Sequence, residues 1–221
     1  MKVAEEDERA DGGFTLVEVL VAMGLFIMLM SIIMLMVTSA SRATQDTRQF
    51  TNINEQARIA TERLTRELRQ AAEIRAVSLP TAPGGDLALT FGVDFNGNQV
   101  IDNVAADPEV LTYRYDASDE QLTLTANDEL GNAVTRPILS EEVSAFDIQF
   151  RSSQWQYDAN ADGITDWTEL DAAVGVGNQN HVLDAPELAR IDLVWITLGV
   201  LEGTHRQTYQ TQVSLRNQAQ S

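Results

Sequence analysis

Gly12-Gly13-Phe14-Thr15-Leu16-Val17-Glu18 opens the stretch that decides the fold, and an apolar run through Val19, Leu20, Phe26, Ile32, Ile33, Met36 and Val37 extends it to Ala40. From Phe14 to Ala40 there are 27 residues and one charge, Glu18. A helix of that length crosses a hydrocarbon core of roughly 30 Å. A carboxylate inside lipid is costly and persists only beside a partner. The nearest candidate cation is an amine freed at Phe14 by a cut after Gly13. A secretory signal peptide would instead have a basic start and a shorter apolar core, about 7–15 residues long. A plain single-span anchor explains the length but not a Glu set five residues into a Gly-Phe motif.

The order of short polar leader, Gly, Phe, Thr, Leu, Val, Glu and apolar helix resembles the cleavage and methylation signal of type IV prepilins and type II secretion pseudopilins. The resemblance covers under a fifth of the chain but is specific. It implies that a prepilin peptidase cuts after Gly13 and methylates the new terminus at Phe14. Glu18, the fifth mature residue, would pair with an amine. It also implies a single-pass inner-membrane protein with a periplasmic globular domain, later packed against other pilins through its N-terminal helix in a filament at the cell surface. One departure concerns the leader, 1–13, whose net charge is −3. Such leaders are usually basic, and positive charge marks the cytoplasmic side, so orientation rests on the cleavage motif.

Charge is distributed unevenly along the 221 residues. Residues 41–75 carry net +2 and residues 76–221 net −16. A domain that acidic repels phosphate, so no nucleic-acid partner is expected. It suits cations, a basic partner or solubility. Cysteine is absent, which excludes disulfides and thiolate sites.

Beyond the apolar run, Phe50, Ile53, Ala57, Ala60, Leu64, Leu68 and Ala71 recur at steps of three and four, one face of an amphipathic helix. The pairs Glu62/Arg66 and Arg63/Glu67 are placed four apart on the opposite face. The spacing predicts a continuous spine from Phe14 to about Arg75–Leu79, ended by Pro80 and Pro83-Gly84-Gly85. The expected organisation is therefore a cleaved leader, 1–13, a membrane or filament-core helix, 14–40, an amphipathic continuation, 41–79, and a β-rich domain, 80–221. Strands are predicted at Leu87–Val93, Val110–Tyr115, Gln121–Ala126, Val143–Arg151, Arg190–Leu201 and Thr208–Arg216, with hairpin turns at 117–120 and 202–205. A long helix packed on an antiparallel sheet is an α+β arrangement, and it is what the pilin resemblance implies.

Two loops have the oxygen spacing of calcium sites. Asp158, Asn160, Asp162, Asp166 and Glu169 supply side-chain oxygens at positions one, three, five, nine and twelve. Ile164 offers a carbonyl at seven, and Gly163 the turn at six. Asp94, Asn96, Asn98 and Asp102 repeat the pattern without the Gly and with Ala105 at twelve, where Asp107 or Glu109 would have to substitute. The alternative for both is a polar loop whose Asp and Asn residues make Asx-turns. If calcium binds, it stiffens long connections beside the sheet.

No enzyme motif is present: His181 and His205 lack zinc-type spacing, and no nucleophile elbow or phosphate-binding glycine loop occurs. Ser140, before Glu141 and Glu142, reads as a cap rather than a nucleophile. The closing stretches Arg190–Leu198 and Thr211–Asn217 resemble those of PilW-type minor pilins. Length and the intact Glu18 also suit a J-type pseudopilin of type II secretion, but not a K-type tip subunit, which lacks that Glu. The expected role is a minor pilin that primes assembly or sits at the filament tip. The rivals are a J-type pseudopilin, a calcium-dependent adhesin displayed on the pilus, and, disfavoured by the missing motifs, a membrane-tethered enzyme.

Overall fold

The computed structural model describes residues 14–80, 84–104, 107–139, 143–202 and 205–215. The leader with Gly13, the Ser140–Glu142 segment and Ala105 therefore lie outside the described residues. Two compact units divide the chain, 1–48 and 49–221.

Helix α1 spans Leu16–Gln70. Within the first unit its large apolar side chains, from Leu16 to Val37, are exposed. The helix is long and apolar enough to cross a membrane by length and composition.

In the second unit the buried side chains of α1 are Ile53, Ala57, Ala60, Leu64, Thr65, Glu67 and Leu68. This is the stripe expected from the spacing, with one difference. Glu67, placed by periodicity on the solvent face, is 9% exposed. Its Oε1 accepts from Arg63 Nε at 2.8 Å, and its Oε2 from the Tyr113 hydroxyl at 2.5 Å. The two other charges paired by spacing, Glu62 and Arg66, form no pair that the structure records; Glu62 instead lies 3.9 Å from Arg58.

The spine ends earlier than the spacing predicts. Residues Ala71–Ser78 form strand β1, not the end of an amphipathic helix reaching 79. β1 pairs antiparallel with β2, Leu87–Val93, with register shifts between Ala71 and Glu73 and between Ile74 and Ala76. The first extra residue puts Ala71 and Ile74, three apart, on the same buried face. A bulged strand thus reproduces helical spacing, which is why periodicity misread it.

The remaining strands are β3 (Asn103–Val104), β4 (Asp107–Pro108), β5 (Val110–Asp116), β6 (Gln121–Asn127), β7 (Ala133–Leu139), β8 (Val143–Ser152), β9 (Thr165–Asp166), β10 (Leu193–Glu202) and β11 (His205–Ser214). They form two main sheets rather than one, in the orders β1-β2-β5-β6-β7 and β11-β10-β8-β9, plus the small β3-β4 ladder. Five predicted strands agree within a few residues. The sixth, expected from Arg190, starts at Leu193, since Arg190 N and Ile191 N are held in turn bonds to the Glu187 and Leu188 carbonyls. The two-residue strands β3, β4 and β9 and the longer β1 and β7 have no counterpart among the predicted strands; β7 carries Pro137 and mostly exposed side chains, so it lacks a clean alternation.

One apolar cluster unites the second-unit part of α1 with both sheets, through Leu64, Leu68, Phe91, Tyr113, Phe146, Phe150, Ile196 and Val213. Phe91 and Tyr113 stack with centroids 6.0 Å apart. The result is α+β: a long N-terminal helix whose second half packs on antiparallel sheets.

Candidate functional site

At the start of α1, Thr15 is the residue before the first helical position and Glu18 the third within it. The Glu18 amide donates to Thr15 Oγ1 at 3.3 Å. In return Glu18 Oε2 accepts from the Thr15 amide at 3.1 Å and the Thr15 hydroxyl at 3.0 Å. This is a capping box, in which two helix-end donors are satisfied reciprocally. The Thr-x-x-Glu spacing could have revealed it, but the sequence reading gave Glu18 only a charge role. The carboxylate is therefore already held one residue from Phe14, whose side chain is 87% exposed.

The 158–169 loop follows β8 and a 3-10 turn, Trp155–Tyr157, and runs into β9 and a short helix α2, Trp167–Ala172. Gly163 N donates to Asp158 Oδ2, Asp162 N to Asn160 Oδ1 and Ile164 N to Asp162 Oδ1, all at 2.8–2.9 Å. Glu169 Oε1 accepts from Ala159 N and Asn160 N, and its Oε2 from Asp166 N. Asp166 caps α2 through Thr168 N and Glu169 N, so positions nine and twelve double as helix cap and capping-box partner. Asp158 Oδ1 is sealed from solvent without a hydrogen-bond partner.

The 94–102 loop repeats this network. Gln99 N donates to Asp94 Oδ2, Asn98 N to Asn96 Oδ1 and Val100 N to Asn98 Oδ1, at 2.7–2.9 Å. Fully buried Glu109 takes the closing position: its Oε1 accepts from Phe95 N and Asn96 N, and its Oε2 from Asp102 N. The β3-β4 ladder brings it there across the extra residues, so Glu109 does what the spacing asked of Ala105. Gln99 replaces the missing Gly, at φ 64° against 84° for Gly163.

Both loops thus have the Asx-turns of the plainer alternative and also the ligand order of a calcium loop. Among the described residues, no three acidic or histidine side chains cluster tightly enough to chelate a metal in this geometry. The oxygens suit a hard cation by chemistry, and Asp158 Oδ1 is the atom left for one to satisfy.

A third polar loop escaped the sequence reading. It lies between α2 and helix α3, Ala185–Leu188. Asp171, 3% exposed, accepts from Asn180 N at 3.2 Å and His181 N at 2.9 Å. Burial pushes its carboxyl up, but the amides of His181, Gln179, Asn180 and Asn178 together hold it below the ordinary value.

Comparison with known proteins bears on the first of these sites. Residues 9–38 match the family model described as the prokaryotic N-terminal methylation motif. No curated protein matches the chain. Among solved structures, a type IV-like pilin from Thermus thermophilus is similar at 13% identity and a TM-score of 0.42, over 76% of this chain and 98% of that one. Residues 9–38 therefore carry the signal of the prokaryotic N-terminal methylation motif, with Phe14 and Glu18 at the head of an apolar helix.

Proposed function

We propose that this protein is a PilW-type minor pilin, a subunit cleaved after Gly13, methylated at Phe14 and packed into a type IV pilus or pilus-like filament. The observation that carries the proposal is the placement of Glu18, one turn into an apolar helix and hydrogen-bonded beside the residue that becomes the amino terminus. Before assembly, lipid covers the exposed side chains between Leu16 and Val37, and the globular domain lies in the periplasm. On extraction, neighbouring helices replace lipid, and Glu18 fixes register by meeting an amine. Stranding one member of such a pair costs about 3–5 kcal/mol. The work is packing rather than catalysis.

The minor-pilin reading over a J-type pseudopilin is supported by the closing hairpin, in which β10 and β11 pair from Leu193↔Ser214 to Glu202↔His205. Priming or a tip position follows from that reading. The test is mass spectrometry of the protein from its own cells. A methylated terminus at Phe14 supports the proposal, and a chain that still begins at Met1 overturns it. Deletion that leaves filament number unchanged would reject the priming role.

A second reading is that calcium binds the 158–169 loop, through Asp158, Asn160, Asp162, the Ile164 carbonyl, Asp166 and Glu169, and by analogy the 94–109 loop. The partnerless Asp158 Oδ1 favours it.

A further inference from the structure

Asn178, Asn180, Val182, Asp184 and Glu187 occupy positions three, five, seven, nine and twelve of the pattern seen in the two other loops. Their hydrogen bonds match as well. Asn180 N donates to Asn178 Oδ1 at 3.0 Å and Val182 N to Asn180 Oδ1 at 2.8 Å. Asp184 N donates to Glu187 Oε2 at 2.5 Å, as Asp166 N does to Glu169 and Asp102 N to Glu109. Positive φ falls at positions four and six in all three loops: Gly97 and Gln99, Ala161 and Gly163, Gln179 and His181.

Position one would be Val176, which has no oxygen to offer from its side chain. Asp171 replaces it from the end of α2. Its Oδ2 accepts the position-six amide, His181 N, as Asp94 Oδ2 accepts Gln99 N and Asp158 Oδ2 accepts Gly163 N. Gly177 makes the substitution possible. The chain turns so tightly after α2 that a Cβ there would collide with the backbone carbonyls of Asp171 and Leu170.

The second observation concerns the closing carboxylate. Glu187 is 1% exposed, and its Oε1 has no hydrogen-bond partner. In the two other loops the equivalent oxygen accepts the amides of positions two and three; here the position-two amide, Gly177 N, donates to the Ala173 carbonyl at 2.9 Å instead. A sealed carboxylate oxygen without a donor is costly unless a cation meets it. The same carboxylate is tied through Asp184 N to a residue whose own Oδ2 is gripped by the side-chain amides of Asn178 and Asn180, at 2.7 and 2.8 Å. Glu187 is thus bonded into the cluster through one carboxylate oxygen, and its other oxygen is left without a donor.

We infer that this loop is a third divalent-cation site, built for calcium from Asp171, Asn178, Asn180, the Val182 carbonyl, Asp184 and Glu187. Six oxygens with three carboxylates match what calcium takes, and the exposed His181 imidazole, with Nδ1 3.9 Å from Asp171 Oδ2, stands outside that set. Binding draws Asp184 away from the two Asn amides and closes the carboxylates on the ion. The site shares its chemistry with the calcium reading of the 158–169 loop but does not require it.

The experiment is isothermal titration of the full chain in detergent micelles with calcium chloride after chelator stripping. The variants Glu187→Gln, Asn180→Ala and Glu169→Gln are run alongside, with folding checked by circular dichroism. Gln at 187 still accepts the Asp184 amide but lacks the charge, and Asn180 is exposed, so Asn180→Ala tests the site if Glu187→Gln fails to fold. Each of these two variants is expected to bind one ion fewer per chain than the unaltered protein. An unchanged number of ions in a folded variant overturns the site, as does an unaltered chain that binds no calcium at about 1 mM. If Glu169→Gln loses an ion while Glu187→Gln and Asn180→Ala do not, the 158–169 reading survives and this one falls.

Discussion

The Tyr113 hydroxyl donates to Glu67 Oε2 at 2.5 Å across 46 residues of sequence, tying β5 to α1 inside the core. Glu67 also holds Arg63, which the hydrogen bond pushes above its ordinary pKa. Burial, reinforced by the Glu67 carboxylate, pushes the Tyr113 phenol well up. A charge set within an apolar stripe is thereby satisfied on both oxygens.

Tyr113→Phe keeps the stacking on Phe91 but strands one buried Glu67 oxygen. The expected loss is about 1–3 kcal/mol in urea unfolding of the detergent-solubilised chain. A double-mutant cycle with Glu67→Gln should return a coupling well above that of an exposed pair.

Alkaline pH should act through the same bond. A phenol whose pKa is raised on folding contributes stability that is fully present below its unfolded value, about 10, and is lost as pH rises from there toward the folded value. The melting temperature should therefore fall more steeply between pH 9 and 11, approximate limits set by that phenol value, in the unaltered protein than in Tyr113→Phe. Equal slopes would argue that Tyr113 ionises as an exposed phenol does.

Glu18→Gln retains an oxygen for the Thr15 cap but abolishes the charge. Cleavage at Phe14 should continue, while recovery in sheared filaments should fall at least about a hundredfold, as loss of a desolvated pair implies. Thr15→Ala is the control. It removes the cap, worth about 1 kcal/mol, and leaves the charge, so it should assemble far better.

Calcium in the 158–169 loop should raise the melting temperature in proportion to the logarithm of its concentration above Kd, with about 2.7 kcal/mol gained at a hundredfold excess. Glu169→Gln should remove that loop's share of the rise. A melting curve identical in calcium and in chelator would reject the reading.

Sequence alone determined the N-terminal unit, because length, apolarity and the placement of Phe14 and Glu18 are one-dimensional properties that need no partner segment. It also located the helix stripe from Ile53 to Leu68 and five strands whose side chains alternate or cluster in short runs. The hydrogen-bonded turn network of the 158–169 loop was legible because its Asp, Asn and Glu side chains lie within twelve consecutive residues.

Tertiary structure decided what distant segments supply. Ala71–Ser78 became a strand because Leu87–Val93 pairs with it and a bulge restores the buried face, which local spacing cannot distinguish from a helix. Glu67 is buried because Tyr113 arrives to bind it. Glu109 closes the 94–102 loop from beyond a small ladder, and Asp171 stands in for a missing first ligand from a preceding helix. In each case the energy lies in a contact between residues that the chain brings together only by folding.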